Sequence, residues 1–177
     1  VDAMDQLFIA NRGIRPLGWY PDGLRNFITK DPVVELADFQ GMKLRAMESD
    51  VVIATINALG ANATPIPWGE VYTSIQTNVV RGMESAPTSI KAMKFYEVAK
   101  NFTITEHINL GVTWVINDSF FNGLSDEYQG LIVDIMADIV EEQKARTVKQ
   151  MDDAVANMEA MGVTVYLIDK APLVEAV

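Results

Sequence analysis

Gly41-Met42-Lys43-Leu44-Arg45-Ala46-Met47 alternates like a half-buried strand, and its flanks decide the fold. Residues 51–59 follow with Val52, Ile56 and Leu59 on one helical face, and Gly60 stops the run. Ala63-Thr64-Pro65-Ile66-Pro67 is then extended, because each proline steers the residue before it away from helix. A strand, a helix and an extended segment in that order predict an α/β fold.

Further along, residues 68–79 carry Trp68, Val71, Tyr72, Ile75 and Val79 on one helical stripe, broken by Gly82. Residues 89–100 read as a short helix. Val112-Thr113-Trp114-Val115-Ile116 reads as a buried strand. Ser125 is a good N-cap before Asp126 and Glu127. A helical pattern then runs to Met161 through Leu131, Ile135, Ile139, Met151, Val155 and Met158, and Gly162 closes it. Unbroken, that helix spans about 55 Å, so it either kinks or runs alongside more than one domain. Val163-Thr164-Val165-Tyr166-Leu167-Ile168 is a last strand. Asn11-Arg12-Gly13-Ile14-Arg15-Pro16-Leu17-Gly18-Trp19-Tyr20 reads as a helix end, a turn and a short strand, and a chain that opens inside an element predicts further sequence upstream.

Apolar residues make up 49% of the 177 positions and charged ones 21%, the balance of a globular chain. The net charge of −10 excludes a nucleic-acid footprint, and any anionic ligand must be held by local positive charge against that field. The absence of cysteine excludes disulfides, zinc–cysteine sites and thiol catalysis. No run approaches the roughly 20 apolar residues of a membrane span. Val1-Asp2-Ala3-Met4-Asp5 shows no signal-peptide pattern.

Arg45 at a strand end has the geometry to grip a carboxylate with two parallel hydrogen bonds, although such an arginine is more often a surface or structural residue. Arg25 carries the same two readings; it follows the turn signal Asp22-Gly23 and is expected at a segment edge. Trp68 reads as a core anchor or as the floor of a pocket. His107, the only histidine, reads as a structural hydrogen-bonding residue, since Glu106 beside it does not make a metal site. Glu141 and Glu142 read as a solvated face, and Met151, Met158 and Met161 as core. No phosphate loop, nucleophile elbow or metal-protease motif occurs, which argues against an enzyme. The remaining alternatives are an α/β enzyme using Glu48 or Glu84 as a base, and an acidic interaction module pairing through its long helix.

Several blocks resemble one family in order and spacing. They are Asp38-Phe39-Gln40-Gly41-Met42-Lys43-Leu44-Arg45, Ala58-Leu59-Gly60-Ala61-Asn62-Ala63-Thr64-Pro65-Ile66-Pro67, Trp68-Gly69-Glu70-Val71-Tyr72-Thr73-Ser74-Ile75-Gln76-Thr77, Val80-Arg81-Gly82-Met83-Glu84-Ser85 and Lys94-Phe95-Tyr96-Glu97-Val98. They resemble the DctP-like solute-binding proteins of tripartite ATP-independent periplasmic (TRAP) transporters, whose members are longer at the N-terminus. The resemblance implies a periplasmic protein that is no enzyme and carries no cofactor or metal. Its fold would be α/β and two-lobed, closing on a small organic anion for membrane subunits, and a homodimer through the long helix stays open. By the resemblance, residues 1–24 are a remnant of the first lobe, residues 25–110 the ligand-binding second lobe and residues 111–177 a return segment. Arg45 would hold the ligand carboxylate, with Arg25 as second arginine and Trp68 packing on the ligand. Ser85 stands where asparagine is common, and Arg81 where an acidic residue is. Glu48 and Asn109 would line the cleft. Dicarboxylates, keto acids, sugar acids and aromatic acids all fit such a clamp.

Overall fold

The computed structural model describes residues 3–177. They form two compact units: residues 3–22 with 110–149, and residues 23–109 with 150–177. Strands β1 (Ile14–Thr29) and β5 (Asn101–Asn117) and the long helix (Asp126–Ala160) contribute to both units. The long helix is continuous over 35 residues, so it serves two units rather than ending in one.

The larger unit is built on one sheet. Beside β1 and β5 it holds β2 (Lys43–Ala46), β3 (Asn62–Pro65), β4 (Gly82–Ser85) and β6 (Thr164–Leu167), in the order β3-β2-β4-β1-β5-β6. β2 pairs in parallel with both β3 and β4, while β1 and β4 are antiparallel. Adjacent residues of a strand point to opposite faces. Phe27 therefore joins one core with Phe39, Leu44, Val52 and Ile56, and Ile28 joins another with Met83, Ile75, Ile90 and Phe95. Gly82 is required at the β1–β4 contact, because a Cβ there would lie 2.3 Å from the Ile28 carbonyl oxygen. Helix α2 (Asp50–Ala58) covers the Phe27 face; helices α3 (Val71–Gln76) and α4 (Pro87–Ala92) cover the Ile28 face.

The strand–helix–strand reading of residues 41–67 agrees with β2, α2 and β3. Other expectations need correction. Residues 68–79 are a 3-10 turn at Trp68–Glu70 followed by α3, which stops before Asn78, a residue at φ 64°. Residues 89–100 hold only the end of α4 and a 3-10 turn, separated by Lys94 at φ 57°. Asp22-Gly23 is no turn: β1 runs through it, with Gly23 at φ 120° packed against the Met151 side chain. Arg25 accordingly lies inside a strand, not at its edge.

In the smaller unit, helix α1 (Ala3–Arg12) meets β1 through Phe8 and Trp19, whose ring centroids are 5.7 Å apart. Arg15 pairs with Asp118 at 2.7 Å and lies over the Phe121 ring. Residues 112–116, expected to be buried, are not: Trp114 and Val115 are about half exposed, as are Leu131 and Ile135 of the long helix. Met158 is a fully buried core residue as expected, whereas Met161, expected beside it, is exposed. Glu141 and Glu142 are exposed and pair with Lys144 and Arg146 along the helix.

Candidate functional site

The sheet places a crevice by its topology. From β2 the chain passes through α2 to β3 on one side, then returns through α3 to β4 on the other side of β2. The helices after β2 and β4 pack on opposite faces, so the carboxyl ends of these neighbouring parallel strands diverge into a switch point, the usual ligand crevice of an open α/β sheet. Arg45 stands at the end of β2 and Ser85 at the end of β4.

Arg45 is 4% exposed, and its Nε donates to the Ile66 carbonyl at 3.0 Å. Its guanidinium carbon lies 5.3 Å from the Trp68 ring centroid, and that ring stands edge-on to Phe95 at 5.2 Å. Trp68 is thus anchored below by the core and open above, at 38% exposure, so the two readings of it, anchor and floor, are compatible. Among the described residues neither terminal nitrogen of Arg45 has an acceptor, and neither is sealed from solvent, since the one enclosed side-chain atom without a partner is His107 Nε2. A planar donor edge held by packing and left without a partner is what a carboxylate fork requires.

Arg25 is the opposite case. Its Nε and Nη2 both donate to the Glu84 carboxylate, the Nη2 bond at 2.8 Å, and Nη2 also donates to the Glu84 carbonyl at 3.0 Å. Glu84 is fully buried. The pair belongs to the Phe27 face, since Phe27 and Glu84 are register partners and the His107 ring stacks on Phe27 at 4.5 Å. His107 Nδ1 shares a 2.7 Å hydrogen bond with the Thr105 hydroxyl, and Nε2 stands 3.7 Å from Glu84, too far for a hydrogen bond but close enough for charge to matter. Burial by itself would push the Glu84 carboxyl up; the neighbouring imidazole and guanidinium outweigh it and hold the group below 4.5. Burial pushes the Arg45 guanidinium below its ordinary value, with the Glu84 charge opposing and the Arg25 charge adding to the effect. The three charges therefore act on one another, although Arg45 points to the Ile28 face.

The remaining candidates are less engaged. Ser85 is 2% exposed and sits opposite Asn26 in the register. Glu48 is exposed in the bend after β2, and Asn109 is exposed on β5; neither hydrogen-bonds the arginines. Arg81 is on the surface, paired with Asp31 at 2.7 Å. Among the described residues no cluster of carboxylates, imidazoles or thiols is arranged to hold a metal. An apolar cavity of about 320 Å³ lies between Leu59, Thr105 and Leu173, but its rim cation, Lys170, is already paired with Glu106. That cavity offers an anion nothing that Arg45 does not offer better.

Sequence reasoning named Glu84 only as a conceivable base and missed it as the partner of Arg25. The signal was available: a carboxylate between Met83 and Ser85 on a short buried strand must be paired.

A family model for bacterial extracellular solute-binding proteins, family 7 (DctP), matches residues 4–177. The chain belongs to this family. It is 35% identical over 132 residues to the ectoine/5-hydroxyectoine-binding periplasmic protein UehA of Ruegeria pomeroyi, covering 75% of this chain and 39% of UehA. It is 32% identical over 158 residues to the sialic acid-binding periplasmic protein SiaP of Vibrio cholerae, covering 89% of this chain and 49% of SiaP. A TRAP periplasmic solute-binding protein from Sulfitobacter, solved with bound β-D-galacturonate, superposes with a TM-score of 0.92 at 32% identity, over 98% of this chain and 58% of that one. The chain thus spans about half the length of the DctP proteins it matches, and its α/β fold is theirs.

Proposed function

We propose that this protein binds a small organic acid through Arg45 and serves as the extracytoplasmic solute-binding subunit of a TRAP transporter, passing its ligand unchanged to membrane subunits. The observation that carries the proposal is the buried guanidinium of Arg45, fixed by Ile66 and Trp68 with both terminal nitrogens unpartnered at a switch point. A cation held largely out of water without a paired carboxylate carries a desolvation cost, and an incoming carboxylate supplies the missing counter-ion. Trp68 offers an exposed ring beside the fork for the body of the acid. The acids named for relatives support the same chemistry, since sialic acid and galacturonate both present a carboxylate on a polar ring. No described helix is long and apolar enough to cross a membrane.

Titration calorimetry with D-galacturonate, D-glucuronate and N-acetylneuraminate tests the proposal. At least one acid should bind, and Arg45→Ala should weaken that acid about 30-fold or more, a loss of at least 2 kcal/mol. Arg45→Lys keeps the charge and loses the fork, so it should recover only part of the affinity. A folded Arg45→Ala protein that binds as tightly as the wild type removes Arg45 from the site.

A further inference from the structure

Ser85 stands on the same face of the sheet as Arg45. Met83 is the register partner of Arg45 on the neighbouring parallel strand and belongs to the Ile28 core. Ser85, two residues further on, projects to that same face at the carboxyl end of β4. With strands about 4.8 Å apart and about 3.3 Å of rise per residue, the Cα atoms of Arg45 and Ser85 are about 8 Å from each other. The Ile66 carbonyl that holds Arg45 Nε lies on the β3 side of β2, and Ser85 on the β4 side. Ser85 is 2% exposed, yet its hydroxyl has no hydrogen-bond partner among the described residues. Nor is that hydroxyl sealed, since the one enclosed side-chain atom without a partner is His107 Nε2. The side chain opposite it is already engaged: Asn26 Oδ1 accepts from the backbone N–H groups of Thr105 and Glu106, and Nδ2 donates to the Leu24 carbonyl. We infer that Ser85 is a specificity-determining residue: its hydroxyl reads the carbon next to the carboxylate, so the site takes acids that carry an oxygen there, namely 2-hydroxy acids, 2-oxo acids and sugar acids.

The inference rests on the organic-acid reading of Arg45 and goes past it by naming the class of acid. A carboxylate held by the terminal nitrogens of Arg45 fills part of the gap between the two side chains. A serine hydroxyl reaches only one bond past Cβ, so it meets what the acid presents on the β4 side, and the first group placed to do so is the substituent on the α carbon. A hydroxyl both donates and accepts, so it serves a ligand hydroxyl, an oxo group or a ring ether oxygen alike. An acid with only hydrogens at that carbon shuts the Ser85 hydroxyl off from water and gives it no partner in return. The open side of Ser85 and the open edge of Arg45 thus ask for two different groups of one small molecule: a charge at the fork and a neutral oxygen beside it.

Calorimetry at neutral pH on matched pairs reads the role: lactate against propionate, malate against succinate, mandelate against phenylacetate, and D-gluconate against 2-deoxy-D-gluconate. In the wild type the oxygenated acid of at least one pair should bind about tenfold tighter, the discrimination that one hydrogen bond supplies. Ser85→Ala should bring that ratio to about one by weakening the oxygenated acid alone, whereas Ser85→Thr, which keeps the hydroxyl, should retain it. Arg45→Ala should weaken both members of the pair together, which separates the work of the fork from that of the hydroxyl. If Ser85→Ala does not fold, Ser85→Cys, close in size and a weak donor, should erase the preference in its place. A wild type that binds both members equally, or a folded Ser85→Ala with an unchanged ratio, overturns the inference and leaves the reading of Arg45 standing. Equal loss of both members in Ser85→Ala assigns the hydroxyl to the carboxylate or to the fold and overturns it as well. If the wild type takes none of these acids but holds D-glucuronate, whose α carbon bears the ring oxygen, a loss of about tenfold in Ser85→Ala that Ser85→Thr restores supports the inference, and an unchanged affinity overturns it. A wild type that binds no organic acid overturns the reading of Arg45 and this inference together.

Discussion

Two buried arginines stand a few strands apart in one sheet and are treated in opposite ways. Arg25 is paired inside the protein, its Nε and Nη2 making three hydrogen bonds to Glu84. Arg45 is buried to the same degree, yet its one bond is to a carbonyl, and its terminal nitrogens are left over. Burial does not separate the arginine proposed to bind from the one that holds the fold; the state of its donors does. An occupied fork holds the fold together, and an unoccupied one is a cost that folding bears and a ligand relieves.

The sharpest way to break the comparison is to remove the acceptor on the occupied side. Glu84→Ala leaves Arg25 buried and unpaired, and should lower stability by about 3–5 kcal/mol in urea unfolding. A loss under about 1 kcal/mol would mean that Arg25 turns to solvent easily, and that the two arginines differ less than their hydrogen bonds indicate. The matching change on the other side, Arg45→Ala, gives up one hydrogen bond to Ile66 and a cation–π contact with Trp68. It should cost only about 1 kcal/mol of stability, or even stabilise, because the desolvation of an unpaired charge is relieved at the same time. The two variants should therefore separate stability from binding: one protein that unfolds early, and one that stays folded but fails to hold an acid.

The difference between the arginines was only half legible in the sequence. Arg45 could be placed because its surroundings are local: alternation through Lys43, Leu44 and Ala46, and the helix 51–59 behind it, are written within some twenty residues. Arg25 was misplaced for two reasons. Asp22-Gly23 has the chemistry of a turn, yet the φ of 120° at Gly23 is used here to pass the chain through a strand against Met151. The partner that fixes Arg25 lies 59 residues away, and a single sequence carries no signal for that separation. The same limit explains Val112-Thr113-Trp114-Val115-Ile116, whose β-rich composition predicts a strand correctly but says nothing of what covers it. Trp114 and Val115 are exposed in the smaller unit, where Phe121 and Val140 are among the few buried apolar side chains. Helix limits after Trp68 and Ser89 failed for a smaller reason: Asn78 and Lys94 adopt left-handed geometry, which the apolar stripe does not register.

Acid sharpens the comparison further, because it acts on one side alone. The Glu84 carboxyl sits below its ordinary 4.5 in the folded chain. A carboxyl so depressed contributes stability that is complete above 4.5 and is lost as the pH falls through the lower folded value. The stability advantage of the wild type over Glu84→Gln should thus be constant from neutral pH down to about 4.5 and shrink below it, as Glu84 takes up the proton that the amide imitates. Thermal unfolding of both proteins across that range measures it. An advantage that grows on acidification would show that Glu84 is protonated, not paired, in the native state.

The smallest expected effect separates occupancy from burial. Arg81 has a fork more fully used than that of Arg25: Nε and Nη2 donate to Asp31 at 2.8 and 2.7 Å, and Nη1 to Asn78 at 2.9 Å. Its side chain is 37% exposed and that of Asp31 51%, so water already solvates both charges and replaces either partner when the other is removed. Arg81→Ala should therefore cost about 1 kcal/mol or less, and that cost should fall in added salt, whereas the Glu84→Ala deficit should barely respond to salt because its charges are shielded from the solvent. If Arg81→Ala destabilised the protein as much as Glu84→Ala, three good hydrogen bonds would count equally inside and outside the core. The distinction drawn between Arg25 and Arg45 would then have to rest on geometry alone, without the desolvation that makes an empty buried fork attract an acid.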